Sequence, residues 1–506
     1  MEDPTRKTNE ELIGWLETVH EKYFIEMKEA SDLPRSFWES YSSFSNTKGG
    51  WIILGVSEGK IRNTINGVGN ESKLKTDLWN QLSNPSKVSF RTVQNEDVNT
   101  IVINGAKVVF IHVHEAGDGN KPVYLNDKLN MTYIRTGDGD RIATKEEIES
   151  MLRNARPAED SQMAEHFTIK DFDAESLALY KSEVGRRYPS REFIKMTDEN
   201  FLKEIGAATI HRETGKWIPK RGAILFLGKV NSIKELYPSY HLDYFNRRGN
   251  VNRWNDRVSD DEPIGEEINI FNFYRIVYEK LKALLTEKFA LDDAQLRLPI
   301  VDFNEPIREA LVNCLAHADY VQAYPSTKVE AFDGWFRFFN PGKMLVSEEQ
   351  FFAGGDSRPR NEIVMKMFRL LGASERQGFG GPLIVKSTTR NNFRYPELET
   401  NLEHTELKIW DIDLADSYPD LSTEAKSILR YLMKSSQPIA VKNIVNDLKL
   451  TSYKAHKALD ELINKFHLVR ILGNGPSTRY EISMRMPEKY TQLQVAMEEL
   501  KKSLSD

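Results

Sequence analysis

The strongest constraint on the fold lies over residues 421–483, where three amphipathic helical patterns precede two short strands around a tight turn. A first helix over Ser422–Lys434 presents Ile428, Leu429 and Leu432 as a core face, and VKNIVNDLKL reads as a short second helix. Thr451 and Ser452 offer an N-cap for a third. Its Ala455, Leu459, Leu462, Ile463 and Phe466 recur on one face at helical spacing. That leaves Ser452, Tyr453, Lys454, His456 and Lys457 at the end that a helix-turn-helix points into the major groove. LVRILGNGPSTRYEIS then reads as two strands joined by a Gly-Asn-Gly-Pro turn, a wing carrying Arg470 and Arg479. The pattern predicts a winged helix-turn-helix that meets double-stranded DNA through Tyr453, Lys454, Lys457, Arg470 and Arg479. A module reused only for protein contacts is the alternative.

The rest of the chain has room for two or three further domains, at about 150 residues per domain in a total of 506. A formal net charge of −6 excludes a uniformly basic coat, so nucleic-acid contact must come from local basic patches. Cys314 is the only cysteine, which rules out an intrachain disulfide and argues against structural zinc. No apolar run approaches the ~20 residues of a membrane-spanning helix. The charged start MEDPTRKTNEELIGW has no signal-peptide core. The expected location is cytoplasmic, with no membrane partner.

Residues 1–157 read as one α/β region. A helix or helix-plus-strand over 10–28 precedes a helix over Ser36–Asn46, a buried strand Trp51–Val56 and another at Val108–Ala116. A further strand ends in KLNMTYIRTGDGDR, and a capped helix follows, with Thr144 at the N-cap and Glu147 at its third position. Pro157 and the polar residues after it mark a linker. Residues 158–300 form a linker and α/β middle region, in which Arg221–Lys229 reads as a plain buried strand and FNFYRIVYEKLKALLTEKF as a long amphipathic helix. His112 and His114 share a strand face without a Cys or His nearby in sequence, so an exposed or packed pair is expected rather than a zinc site. In the tail, residues 484–506, Tyr490, Leu493, Met497, Leu500 and Leu504 recur at spacings of three and four. That seam predicts a helix that pairs two copies as a homodimer or caps its own winged helix.

Residues 301–415 hold the helix EPIREALVNCLAHADY. Its Glu309, Asn313 and His317 share a polar face opposite Ile307, Leu311 and Leu315, with Cys314 packed in the apolar stripe. Spacing alone fits a plain amphipathic helix. The segments REALVNCLAHADY, FRFFNPGKM and RLLGASERQGFGGPLI together resemble the degenerate GHKL (Bergerat-type) ATP-binding domain of a bacterial transcriptional-regulator family. The resemblance implies ATP and Mg²⁺ as ligands, with Asn313 on the metal and Glu309 as the base that positions water. By the same resemblance Asn340-Pro341-Gly342 stands for the first glycine box and Gly378, Gly380 and Gly381 for the second. The aspartate that would recognise adenine is absent, and Asn340 starts that segment.

EKYFIEMKEA, FWESYSSFSNTKGGWIILGVSEG and MTYIRTGDGDRIATKEEI resemble the Schlafen or AlbA-like domain. One form of that family implies nucleic-acid binding, here with Lys28 and Arg135 as contacts. The other implies a nuclease in which Glu21, Glu26 and Glu58 hold Mg²⁺ or Mn²⁺, although the third acid is commonly aspartate. The expected fold class is α+β multidomain: a Schlafen/AlbA-like α/β domain, a GHKL-like α/β sandwich and a winged helix-turn-helix. The expected function is a DNA-binding transcriptional regulator with a nucleotide pocket. The alternatives are a metal-dependent nuclease acting on tRNA or DNA, in phage defence, and a scaffold whose pockets are both degenerate.

Overall fold

The computed structural model describes residues 3–20, 24–29, 33–137, 139–156, 159–249, 252–262, 265–290, 303–322, 324–355, 358–374, 380–391, 393–435 and 437–483. The expected C-terminal seam at 484–506 lies outside the described residues. The chain forms two compact units, Met1–Pro157 and Ala158–Asp506. Among the described residues no helix is long and apolar enough to cross a membrane.

The main elements of the first unit are α1 (Asn9–Thr18), β1 (Ile25–Lys28), α2 (Arg35–Asn46), β2 (Gly50–Leu54), α3 (Glu71–Leu82), β3 (Val98–Ile103), β4 (Ala106–Val113), β5 (Lys128–Thr136), β6 (Gly139–Ile142) and α4 (Lys145–Asn154). A four-stranded sheet runs β1-β2-β4-β3, parallel only between β1 and β2. Trp-Ile-Ile-Leu is apolar throughout because β2 is covered on both faces. Trp51 and Ile53 pack with Leu12 and Leu16 of α1. Ile52 and Leu54 pack with Phe37, Tyr41 and Phe44 of α2.

The Phe-Ser-Asn-Thr-Lys-Gly-Gly run is explained by this packing. Asn46 donates to the carbonyls of Val123 (2.9 Å) and Tyr133 (3.0 Å) and accepts from the Val123 amide (2.7 Å), so it ties α2 to the chain before and along β5. A Cβ at Gly50 would fall 2.6 Å from the Phe44 ring, and one at Gly49, whose φ is +72°, 2.7 Å from the Val113 carbonyl. The helix α4 opens on the expected Thr144–Glu147 capping box.

The second unit contains α5 (Ala174–Arg187), α6 (Arg221–Leu227), β7 (Leu242–Asn246), β8 (Asp256–Ser259), α7 (Ile270–Ala290), α8 (Asn304–His317), β9 (Thr327–Phe332), β10 (Trp335–Pro341), α9 (Glu348–Ala353), α10 (Glu362–Leu371), α11 (Gly380–Arg390), β11 (Glu397–Thr400) and β12 (His404–Trp410). Its six-stranded sheet runs β8-β7-β9-β10-β12-β11 and is antiparallel except between β7 and β9. Strands from residues 242–259 and from 327–410 therefore share one sheet. Val329, Phe336, Phe338, Leu407 and Ile409 turn toward the helices. On the other face Arg337 bridges Glu330 and Glu406, the cross-strand charge pairing of a solvated sheet surface.

The expected strand at Arg221–Lys229 is instead the helix α6. Every residue from Gly222 to Leu227 is buried, so an apolar run of this length carries no period that distinguishes helix from strand. The tight fit at Gly222, where a Cβ would lie 2.8 Å from Ile363, sets α6 directly against α10.

Residues after Asp411 build α12 (Thr423–Met433), α13 (Val441–Asp447), α14 (Ser452–Asp460) and a hairpin of β13 (Val469–Leu472) with β14 (Arg479–Ile482). Ile428, Leu429, Leu432, Leu459 and Leu462 share a core with Val469 and Tyr480. Thr451 caps α14 by accepting from the Lys454 amide, and Ile439 bridges Tyr480 to add a third short edge.

Candidate functional site

The helix α8 sets its apolar residues Ile307, Leu311 and Leu315 into the core, fully buried. The opposite stripe, Glu309, Asn313 and His317, faces a cavity also lined by Asn340, Gly380 and Gly381. One helix therefore delivers three polar groups to a single space, as residues four apart must lie on one face. Asn313 Nδ2 donates to Glu309 Oε1 at 3.3 Å, which orients the carboxamide beside the carboxylate. Gly380 opens α11 against this pair: a Cβ there would fall 2.5 Å from Glu309 Oε1 and 3.0 Å from Asn313 Nδ2. Gly381 is tighter still, 1.9 Å from the Phe351 carbonyl oxygen. Gly381 is required by close approach to backbone, and Gly380 by the present placement of the Glu309 side chain.

Asn340 closes β10 opposite Thr405 of β12, is buried, and donates from Nδ2 to the Pro341 carbonyl at 3.2 Å. Gly342 shapes the following turn rather than the cavity wall. Its φ is +91°, and a Cβ there would lie 2.9 Å from the Asp319 side chain and 3.1 Å from Arg360. Arg360 fixes that turn by donating to the carbonyls of His317 (3.1 Å) and Lys343 (2.8 Å). Burial, and then the Arg360 charge, push the His317 imidazole down to about 4, so it is neutral near pH 7. Burial pushes the Cys314 thiol up to about 12, in keeping with a packing role. Gly378 lies outside the described residues.

Sequence reasoning missed three cations on the cavity wall, Lys343, Arg358 and Arg369. The signal for Lys343 was its place after Asn340-Pro341-Gly342, for Arg358 the Ser-Arg-Pro-Arg-Asn run, and for Arg369 the start of Arg-Leu-Leu-Gly. Met344, Leu345 and Val346 add an apolar wall. The residue chemistry fits a magnesium nucleotide. Carboxylate and carboxamide oxygens suit Mg²⁺, the cations suit phosphates, and the apolar wall suits a base. A bound Mg²⁺ would supply positive charge to offset that of the phosphates. Glu309 and Asn313 would hold it from α8, and the N-terminus of α11 would face the anion.

The first unit arranges its candidates differently. Glu26 of β1 accepts from Arg135 (2.7 Å) and Lys28 (2.8 Å), and Arg135 also reaches Asp140 at 2.9 Å. Arg135 and Lys28, expected as nucleic-acid contacts, belong to this ion network, Arg135 buried and Lys28 half-buried, and both charges are paired with Glu26. Arg135 lies 5.1 Å over the Phe44 ring, on the α2 face of the sheet. Glu58 instead pairs with His20 at 3.4 Å, just beyond α1. Glu26 and Glu58 are thus held by different partners, and Glu21 lies outside the described residues.

At the end of the second unit, Tyr453 is 77% exposed and Lys457 is exposed. Lys454 pairs with Glu424 at 2.8 Å. On the hairpin Arg470 pairs with Glu481, while Arg479 donates to the Thr478 carbonyl at 2.9 Å.

Two family profiles bear on these sites. Residues 21–144 match the Schlafen AlbA_2 family, and residues 326–409 match an ATPase-like family described for the recG C-terminal region. The chain carries a Schlafen AlbA_2 domain and an ATPase-like domain. The AlbA_2 match spans the Glu26–Arg135 network and the Asn46 clamp, and the ATPase-like match covers β9, β10 and β12. A domain of unknown function, DUF8451, matches residues 149–243. Comparison with curated proteins gives no match. Among solved structures, the DIP2311 protein from Corynebacterium diphtheriae is similar at 15% identity and a TM-score of 0.39, over 91% of this chain and 94% of that one. The N-terminal domain of a RecG-related protein from Nitrosomonas europaea is similar at 25% identity and a TM-score of 0.22, over 27% of this chain and 94% of that one.

Proposed function

We propose that this protein is a nucleic-acid-binding regulator that binds ATP with Mg²⁺ in the cavity of its second unit and reads double-stranded DNA through a winged helix-turn-helix over residues 421–483. The observation that carries the nucleotide half is the seating of Glu309 and Asn313 against Gly380, with no room for a Cβ between them. The carrying module for DNA is α14, capped at Thr451 and leaving Tyr453 and Lys457 exposed at its N-terminal end. The nuclease reading has no comparable support, because Glu26 is neutralised by Arg135 and Lys28.

The nucleotide half is tested by melting the full chain with and without millimolar ATP and Mg²⁺. Ligand at ~100-fold its dissociation constant stabilises by about 2.7 kcal/mol. The shift should require the metal and vanish in Asn313→Ala, whose own fold is unchanged because the side chain faces the cavity. A wild-type melting curve indifferent to ATP and Mg²⁺ would falsify this half.

For the DNA half, Lys454→Ala with Lys457→Ala should weaken duplex binding and flatten its salt dependence. Each lost phosphate contact lowers the slope by about 0.9, so the pair should remove about 1.8. Lys454→Ala also leaves Glu424 without that partner, an exposed pair worth little to stability. Equal affinity and slope in the double variant would place DNA contact elsewhere.

A further inference from the structure

His112 and His114 do have a partner: strand pairing brings it from fifteen residues upstream of the first histidine. Val98 of β3 pairs with Ile111 of β4, which puts Asp97 across from His112. His114 Nε2 lies 2.7 Å from Asp97 Oδ1, His112 Nδ1 lies 3.9 Å from the same oxygen, and the three ligand atoms fall within 4.8 Å of one another. We propose that Asp97, His112 and His114 form a binding site for a late first-row divalent metal ion, zinc being the best match.

Two imidazoles and one carboxylate are a common donor set for such ions, and three protein ligands leave a position for water or a further ligand. Donor atoms around a tetrahedral zinc lie about 3.4 Å apart, from zinc–ligand distances of about 2.0–2.1 Å. The ion would therefore replace the His114–Asp97 hydrogen bond, with small adjustments of two side chains. Both supporting contacts of a metal site are already in place. Asp97 Oδ2 accepts from the Gln94 amide at 2.6 Å, which fixes the carboxylate. Trp51 stacks on His112 with ring centres 4.5 Å apart, which fixes that ring. Burial and the neighbouring His114 hold the His112 imidazole below its usual range. Asp97 is buried while His112 and His114 are partly open, so an ion can enter from the His114 side.

The other histidine–carboxylate cluster shows the contrast. His241 pairs with Asp243 and Asp260, but Lys234 and Arg257 already neutralise those carboxylates. The imidazole there, raised to about 10 chiefly by its bond to Asp243, is protonated and has no lone pair for a metal. Charge thus separates an ion-pair cluster from a metal site.

The test titrates zinc into chelator-stripped full-length protein without nucleotide, using a competing chromophoric chelator. The expected result is one equivalent bound, weakened at least about tenfold in both His114→Ala and Asp97→Asn, and unchanged in His241→Ala. Asp97→Asn keeps an oxygen for the Gln94 amide, so loss of zinc in that variant with an unchanged apo melting curve is not a folding defect. A second readout is Trp51 itself: Co²⁺ should quench part of the tryptophan emission in the wild type, and that part should be missing in Trp51→Phe. Absence of saturable binding, or binding equal in wild type and both ligand variants, overturns the site. So does loss of zinc in His241→Ala.

Discussion

Gly381→Ala is expected to destabilise the second unit by about 2 kcal/mol and to abolish its response to ATP. The added methyl would sit 1.9 Å from the Phe351 carbonyl oxygen and 2.7 Å from its carbon. These are backbone atoms of α9, so no side-chain rotation relieves the overlap, and α11 must move away from α9. Alanine does gain helix propensity over glycine, by up to about 1 kcal/mol in a helix interior. Gly381 is the second residue of α11, where that gain is smaller, so the overlap wins. Gly380→Ala is the control that separates stability from the site. Its methyl meets the Glu309 side chain at 2.5–2.8 Å, and a side chain can turn aside. That variant should keep stability within about 1 kcal/mol yet lose the ATP-dependent melting shift, because Glu309 is displaced. Urea titrations of both variants, with the melting assay beside them, decide the matter. A Gly381→Ala protein as stable as the wild type would show that α11 is not seated against α9.

What is legible in the sequence is local. The capping box at Thr144–Glu147 and the N-cap at Thr451 are set by residues three apart, and each caps its helix as read. The stripe of Glu309, Asn313 and His317 is likewise a property of helical spacing, and it does face one cavity. The failures share a different cause. Nothing local to Arg135 announces Glu26, more than a hundred residues before it, yet that pair turns an expected surface charge into a buried one. A basic residue near a glycine turn reads as exposed until its partner is known. Asp97 also reaches His112 and His114 through strand register, a contact that nothing local to the pair announces. The helix α6 reads as a strand because burial on every side erases the pattern that identifies a helix.

Three distant segments meet at one cavity: α8, which lies outside the ATPase-like match, and the stretches around Asn340 and Gly380 inside it. The strand pair β7–β8, which reads only as part of a middle region, belongs to one sheet with β9 to β12. The sheet needs β7 as the parallel neighbour of β9, and α7 and α8 cover the apolar face that results. The segment that reads as a linker is tied into the same unit, and Asp160 makes one of those ties at the start of α10.

Asp160→Ala should lower stability by about 3 kcal/mol, more than the loss of a single hydrogen bond would bring, because two amides lose their acceptor at once. Asp160 is fully buried, and its Oδ2 accepts from the amides of Ile363 (2.7 Å) and Val364 (3.0 Å) at the start of α10. Removing the carboxylate leaves both buried N–H groups unsatisfied. Asn361, the N-cap residue by position, makes no side-chain cap bond of its own, so it offers no substitute. Asp160→Asn keeps an oxygen for both amides and should cost far less. The two variants also differ from wild type in pH dependence. Burial, outweighing those amide bonds, raises the Asp160 carboxyl from 3.8 to about 6. A raised folded value means the folded state holds the proton more tightly. The associated stability is full below 3.8 and is lost as pH rises through about 6. Wild type should therefore lose ground against Asp160→Asn across that window, by on the order of 3 kcal/mol, and the gap should stay constant above it. Denaturant titrations of the three proteins at several pH values measure both effects. Equal stabilities of wild type and Asp160→Ala would mean that α10 is capped by some other group, and a pH-independent gap to Asp160→Asn would mean that the carboxylate is not buried.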